Sequence, residues 1–187
     1  SLQVHPVTEY IQETFGVHYT QDESYYIMDT GENPSVYLGL KEGINPREMI
    51  DDLNKAQDDA VVFDDVKYIN RWPAKKHDHF LIPGGTIHAS GKNCLVLEIS
   101  ATTYIFTFKL WDWGRLDIDG RPRPINIDHG RNVIQWNRTT DWVRQNLDYP
   151  LNVRLKHSNA TGNKIMIDGN AATGLGAVYG GATVLAW

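Results

Sequence analysis

The feature that most constrains this chain is an alternation of polar and apolar residues in its first segment. Leu2 and Val4 alternate with Gln3 and His5, and successive side chains of a β-strand point to opposite faces. An extended segment therefore turns an amide and an imidazole to one face and two aliphatic side chains to the other. A strand of this kind has one face for a core and one face for a polar site.

Further β-type segments are spread along the chain. Apolar or alternating runs, separated by Gly, Pro, Asn and Asp, predict strands at residues 2–5, 25–28, 36–40, 80–82, 94–99, 104–111 and 125–127. Short helices are predicted at residues 8–14, 45–56 and 140–147. The second of them begins with Asn45 as the capping residue and Pro46 at the first helical position. Residues 61–63 and 66–69 are too short to assign. We predict a mostly β protein, a β-barrel or jelly roll with short helices.

Composition narrows the class of protein. The 187 residues have room for one domain with a substantial core. A net charge of -5 argues against nucleic acid as a partner, although local basic residues could hold a small phosphorylated molecule. The single Cys94 cannot form an internal disulfide, so we predict a cytoplasmic location. The uncharged run at residues 169–187 has too few large apolar side chains for a membrane span. Nothing indicates an oligomeric state.

Four polar residues on these segments or close to them in the sequence are candidate metal ligands. The four candidates are Gln3, His5, Glu23 and His88. Imidazole nitrogens with carboxylate and amide oxygens form a site of the kind that suits zinc. Asp22 competes with Glu23, because a strand turns adjacent carboxylates to opposite faces. His77 and His79 share one face and are either a second metal site or two exposed histidines at a strand entrance.

Several motifs follow one another in a characteristic order. Ser-Leu-Gln-Val-His-Pro opens the chain, and a glutamate, Phe-Leu-Ile-Pro-Gly-Gly-Thr-Ile-His-Ala-Ser-Gly, Leu-Glu-Ile and Lys-Leu-Trp-Asp-Trp-Gly-Arg follow. Over about residues 1–150 this order resembles type I mannose-6-phosphate isomerase, a cupin enzyme. The resemblance implies a cupin-type β-barrel without the opening strands of that family. It also implies a zinc ion held by Gln3, His5, Glu23 and His88, and a sugar phosphate as the small-molecule partner. Such enzymes interconvert mannose 6-phosphate and fructose 6-phosphate by moving a proton between C1 and C2.

Two positions depart from the pattern of that family. Gln21 stands where many members have a Lys, and an amide can neither titrate nor carry charge. Lys109 stands where the family places an Arg near the sugar. Lysine keeps the positive charge but lacks the planar guanidinium fork of arginine, which binds oxygens in pairs. Lys109 and Arg115 are the candidate catalytic residues. The alternative for Arg115 is a loop residue that forms an ordinary ion pair.

Three functions remain open at this stage. The first is a zinc-dependent aldose–ketose isomerase that uses Lys109 for substrate charge or proton transfer. The second is a non-catalytic, metal-containing cupin that binds a sugar phosphate, which Gln21 favours. The third is an iron-dependent cupin oxygenase, because two histidines and a carboxylate can hold iron; Gln3 as a fourth ligand weighs against it.

The end of the chain has a different character. The chain starts without Met in a strand-like segment and stops in an apolar run, so we expect a fragment of a longer protein. Residues 160–187 resemble the start of a 2-oxoacid:ferredoxin oxidoreductase α-subunit domain, with a strand at 165–167, a helix at 171–179 and a strand at 182–186. We predict an isomerase-type domain at 1–158 and a small, poorly packed βαβ-like tail of different origin at 159–187.

Overall fold

The computed structural model describes residues 1–58, 61–101, 106–121 and 123–146. Its strands are β1 (Leu2–Val4), β2 (Glu23–Thr30), β3 (Ser35–Leu40), β4 (Ile69–Pro73), β5 (His79–Ile82), β6 (His88–Ser90), β7 (Cys94–Ser100) and β8 (Phe108–Trp111). Its helices are α1 (Thr8–Phe15), α2 (Pro46–Asp58), α3 (Asp65–Tyr68), α4 (Ile127–Val133) and α5 (Thr140–Asn146).

The strands form two antiparallel sheets that share an interior. The larger sheet has the order β4-β3-β6-β1-β8 and the smaller one the order β5-β2-β7. Tyr25 and Ile27 of the smaller sheet pack in one buried cluster with Val36 and Leu38 of the larger sheet. The predicted mostly β architecture is confirmed. Within the described residues the two sheets remain separate and do not close into one barrel.

Helices cover the other face of the larger sheet. Leu2 and Val4 of β1 and Leu110 of β8 are buried there with Met49 and Leu53 of α2. The prediction for the first segment is therefore confirmed: its aliphatic side chains lie in this core. The intervening polar residues of β1 face the space between the sheets.

The start of α2 follows its sequence signals. The side-chain Oδ1 of Asn45 accepts hydrogen bonds from the backbone N–H groups of Arg47 and Glu48, at 3.0 and 3.4 Å. These are two of the N–H groups that have no partner inside a helix, and a capping Asn satisfies them. The capped end fixes where the apolar face of α2 meets the sheet.

The predicted strand at residues 125–127 is wrong. Ile127 begins helix α4, and the segment makes one strand-like bond, in which the backbone N–H of Asn126 donates to the carbonyl of Lys109 at 2.7 Å. Gly130 inside α4 weakens the helical signal in the sequence. Packing explains this glycine, because a Cβ at position 130 would lie 2.4 Å from Cδ2 of Leu110.

The remaining predictions on secondary structure divide into tested and untested ones. The segment at 66–69 forms most of α3 and the first residue of β4. The predicted strand at 104–111 appears as β8, and its first residues lie outside the described part of the chain. The tail at 159–187 and the boundary at 158 also lie outside it and stay predictions. None of the described helices is long and apolar enough to cross a membrane.

We expect the core between β8 and the helices to dominate stability. Leu110→Ala removes a side chain with 0% exposure and leaves a cavity, so the free energy of unfolding falls by about 2–5 kcal/mol. The matched control is Leu95→Ala on β7, whose side chain is 58% exposed, with a change within about 0.5 kcal/mol. Urea unfolding measures both values. Similar losses in the two variants would contradict the assignment of this core.

Candidate metal centre

Two histidines and a glutamate meet between the two sheets. The possible ligand atoms of His5, Glu23 and His88 all lie within 4.8 Å of one another. Glu23 Oε2 is 3.0 Å from His5 Nε2, and Glu23 Oε1 is 2.9 Å from His88 Nε2. The three residues are 1%, 5% and 0% exposed. Three of the four candidate ligands therefore form one buried cluster.

Strand pairing explains how residues distant in the sequence meet. Gln3 on β1 lies directly opposite His88 on β6, so both side chains stand on the same face of the larger sheet. His5 follows Gln3 by two residues and keeps that face. Glu23 is the first residue of β2 in the smaller sheet, and its side chain reaches across the interior.

A tight turn before β6 joins the strands that carry the cluster. The backbone N–H of Gly85 donates to the carbonyl of His5 at 2.7 Å, and the N–H of Gly84 donates to Oδ1 of Asp22 at 2.8 Å. Gly85 has a φ of 83°, which L side chains rarely adopt. Asp22, the alternative carboxylate of the sequence prediction, therefore anchors this turn, and Glu23 enters the cluster.

The ring orientations leave one nitrogen of each histidine facing Glu23. His5 Nδ1 lies 2.8 Å from the carbonyl oxygen of Phe106, and His88 Nδ1 lies 2.8 Å from that of Thr86. A carbonyl only accepts, so each Nδ1 carries its proton, and a neutral ring presents an Nε2 lone pair to the carboxylate. Outer hydrogen bonds of this kind are typical of metal-binding histidines.

The buried cluster fits a cation. His5 Nε2 and Glu23 Oε1 are buried and have no hydrogen-bond partner among the described residues. Burial lowers the pKa of His88 and outweighs the neighbouring Glu23, which favours a neutral ring. Burial raises the pKa of Glu23, but hydrogen bonds donated by the rings of His5 and His88 outweigh it and hold this pKa below its usual range; a cation would take the place of those two protons. Lone pairs and a carboxylate then face each other, and a metal ion between them would satisfy all three.

Gln3 adds a fourth polar group beside the cluster. Its Nε2 lies 3.3 Å from His88 Nε2, and its Oε1 accepts a hydrogen bond from the Ser1 hydroxyl at 3.1 Å. Rotation of the amide by 180° exchanges the two atoms and presents the oxygen to the cluster. All four predicted ligands are therefore adjacent, and metal binding by them stays a prediction.

The side chain of Gln21 is buried next to Glu23 of the cluster. Its side chain is 3% exposed. Its Oε1 accepts from the backbone N–H of Phe106 at 2.9 Å, and its Nε2 donates to Glu23 Oε2 and to the Ser100 hydroxyl, each at 3.4 Å. The amide orients Glu23 and connects the segment before β2 to Ser100 of β7. It offers no charge at the position where the resembled family often has a Lys.

Lys109 stands on the same side of the larger sheet as the cluster. It lies opposite Gln3 in the pairing of β1 with β8, while its neighbours Phe108 and Leu110 enter the helix-covered core. Lys109 is half-buried. Within the described residues no carboxylate lies within ion-pair distance of its ammonium group. It is thus a positive charge that no acid of the described residues neutralises.

Glu98 was missed as a site residue by the sequence analysis. On β7 it lies opposite Tyr25, so its side chain shares a face with Tyr25 and Glu23. The residue as a whole is exposed, yet its carboxyl group is partly desolvated, and this together with the negative charge of Glu23 raises the pKa of Glu98. The sequence shows that Glu98 and Ser100, two residues apart, share one face of a strand. It does not show that this strand pairs with β2, which carries Glu23.

Arg115 and the second histidine pair lie in other surroundings. The guanidinium of Arg115 forms an ion pair with Asp112, and its side chain is 53% exposed. His77 Nδ1 is 2.6 Å from the hydroxyl of Tyr26. In the described part of the chain, neither His77 nor His79 belongs to a cluster of three possible ligands.

Known proteins with similar sequences and folds are sugar-phosphate isomerases. Mannose-6-phosphate isomerase ManA of Bacillus subtilis is 27% identical over 135 residues, which are 72% of this chain and 40% of that protein. Mannose-6-phosphate isomerase of Streptococcus mutans is 29% identical over 136 residues, 72% of this chain and 39% of that protein. The crystal structure of mannose 6-phosphate isomerase from Bacillus subtilis superimposes with a TM-score of 0.62 at 28% identity, over 73% of this chain and 41% of that one. No model of a protein family matches the chain.

These similarities confirm the cupin-type fold predicted from the sequence. They also show that about 72% of this chain is similar in sequence to mannose-6-phosphate isomerases. The chain spans about 40% of the length of these relatives. The resemblance of residues 160–187 to an oxidoreductase subunit stays a prediction.

Proposed function

We propose that this chain is the metal-binding part of a zinc-dependent aldose–ketose isomerase that interconverts mannose 6-phosphate and fructose 6-phosphate. The observation that carries the proposal is the buried His5–Glu23–His88 cluster, in a chain similar to such isomerases over 72% of its length. Activity, substrate and metal are parts of this proposal. The cytoplasmic location stays a prediction.

In this proposal zinc is held by Gln3, His5, Glu23 and His88. Two imidazole nitrogens with carboxylate and amide oxygens are donors that zinc accepts. When bound, such an ion supplies positive charge that polarises the carbonyl and hydroxyl oxygens of a sugar. The carbonyls of Thr86 and Phe106 fix the orientation of the two rings, and Gln21 fixes the carboxylate of Glu23.

Residues at the side of the cluster supply charge and proton transfer. Lys109 attracts the anionic or oxygen-rich end of the sugar phosphate or moves a proton, because its half-buried ammonium has no acidic partner in the described chain. Glu98 shares the face of Glu23 in the smaller sheet, and partial desolvation together with the negative charge of Glu23 raises its pKa in the metal-free chain, so its carboxyl group is a second candidate for proton transfer. Arg115 stays a predicted catalytic residue without a described contact to the cluster.

The second candidate function is a non-catalytic cupin that binds metal and a sugar phosphate. The observation that favours it is the buried, fully hydrogen-bonded Gln21 beside Glu23. A Lys in that position would add a titratable donor next to the metal centre, whereas the amide only orients Glu23. Lys109 alone then provides the charge for binding.

Turnover and binding separate the two functions. The zinc-loaded chain is mixed with mannose 6-phosphate, and fructose 6-phosphate is followed by a coupled assay; calorimetry measures binding of the same sugar phosphate. We expect product that disappears after zinc is chelated and returns when zinc is restored. Binding without product would replace the isomerase by the non-catalytic cupin. Neither binding nor product from a folded, zinc-loaded chain would overturn both.

A further inference from the structure

An open cleft of about 580 Å³ lies at the end of the larger sheet. Its lining includes Tyr37, Arg71, Lys92, Trp113 and Arg115. Tyr37 packs against the helix-covered core, whereas the next residue, Leu38, faces the space between the sheets. The aromatic floor of this cleft is therefore on the face opposite the metal centre, and its volume falls in the range of small-molecule sites. We call it the outer cleft.

Positive charge is concentrated in the outer cleft of an otherwise acidic chain. Lys92, Arg71 and Arg115 contribute it, against a net charge of -5 for the whole sequence. Arg71 is held in place, because its Nε donates to the Ser35 hydroxyl at 2.8 Å and its guanidinium lies 5.6 Å from the centre of the Tyr37 ring. Among the described residues neither Arg71 nor Lys92 forms an ion pair with an acid. Two cations are thus available to an anion.

An aromatic platform stands beside these cations. The ring of Trp113 is 5.7 Å from that of Tyr37, and Trp113 is 37% exposed. Trp113 has a φ of 52°, an unfavourable conformation for a bulky side chain. The turn is held by buried Asp112, which forms ion pairs with Arg115 and Arg123. Strained residues persist where their surroundings hold them, and they are frequent at ligand sites.

We propose that the outer cleft is a second binding site, for a phosphomonoester that carries a ring. Arg71 and Lys92 bind the phosphate, since a guanidinium donates two parallel hydrogen bonds to phosphate oxygens. Trp113 and Tyr37 stack on the ring, which is either a sugar or a nucleobase. The outer cleft contains none of the four proposed metal ligands, and its phosphate-binding residues, Arg71 and Lys92, have no role in the proposed isomerase activity; Arg115 lines the cleft and is given no role in holding the phosphate.

Calorimetric titration of the His88→Ala chain tests the outer cleft apart from the metal centre. The probes are mannose 6-phosphate, adenosine 5′-monophosphate and inorganic phosphate, and metal-free unmutated chain is titrated in parallel. We expect one ring phosphomonoester to bind at least about tenfold more tightly than inorganic phosphate, as expected for one stacked ring. The sugar and nucleotide probes identify which ring is preferred. Failure of both to bind either chain would overturn the proposal.

Substitutions then assign the binding to the named residues. We expect Lys92→Met, at an exposed position, to weaken the binding of the ring phosphomonoester, and the Arg71→Met/Lys92→Met double variant to weaken it further. The control is Lys76→Met, at an exposed lysine outside the cleft, which leaves the affinity unchanged. Trp113→Gly is compatible with the positive φ and weakens the ring probes without affecting inorganic phosphate. Unchanged binding in the double variant, or equal effects of Trp113→Gly on all probes, would overturn the proposed site.

Discussion

Replacing His88 with Ala is expected to abolish tight zinc binding by this chain. His88 supplies one of two imidazole nitrogens of the buried cluster, and the methyl group of Ala cannot replace it. Even the loss of an outer hydrogen bond to a metal-binding histidine weakens metal affinity by roughly 10- to 100-fold, so the loss of the ligand itself weakens it by more. Elemental analysis of the purified protein and a competition titration with a zinc chelator measure the effect.

The control is His18→Ala, which removes an exposed histidine outside the cluster. Because His88 is fully buried, its replacement also lowers stability, and thermal unfolding with and without zinc separates the two effects. Zinc at about 100 times its dissociation constant adds about 2.7 kcal/mol to the stability of the unmutated chain and of His18→Ala. It adds nothing to His88→Ala. Equal zinc content in all three proteins would contradict the metal centre.

The sequence contained enough to predict which residues meet in the cluster, because the segments that carry them have a local signal. Gln3 and His5 alternate with two aliphatic residues, and His88 follows a Pro-Gly-Gly turn. The order of the motifs then resembled that of one family, whose fold brings these segments together. The choice between Asp22 and Glu23 needed the structure, because both carboxylates stand next to each other and only the Gly84 hydrogen bond shows which one anchors the turn.

The sequence alone does not show which residues lie opposite one another on paired strands. Glu98 faces the centre only because β7 pairs with β2 in a register that sets it opposite Tyr25. Helix α4 was hidden for a related reason, since Gly130 is chosen for its fit against Leu110 and not for helix propensity. Both features depend on tertiary contacts that the sequence does not show. The outer cleft likewise joins Arg71, Lys92 and Trp113 from separate segments.

Lys109→Met is expected to remove most of the function of the centre while the metal stays bound. The ammonium group faces the same side as Gln3, and in the described chain no acid neutralises it. If Lys109 transfers a proton, kcat/KM for mannose 6-phosphate falls by about 10²- to 10⁴-fold. If the chain only binds the sugar phosphate, its affinity falls instead, because the compensating charge is lost. The coupled assay and calorimetry measure the two quantities on the same preparations.

Lys109→Arg distinguishes a specific site from a general need for charge. Arginine keeps the positive charge and adds the planar fork that binds oxygens in pairs, so we expect this variant to retain sugar-phosphate binding. Lys76→Met removes an exposed lysine and leaves both quantities unchanged. Zinc content should be the same in all of these proteins, since none of the substitutions touches His5, Glu23 or His88. Full binding and turnover in Lys109→Met would show that the face of β8 next to Gln3 takes no part in recognising the substrate.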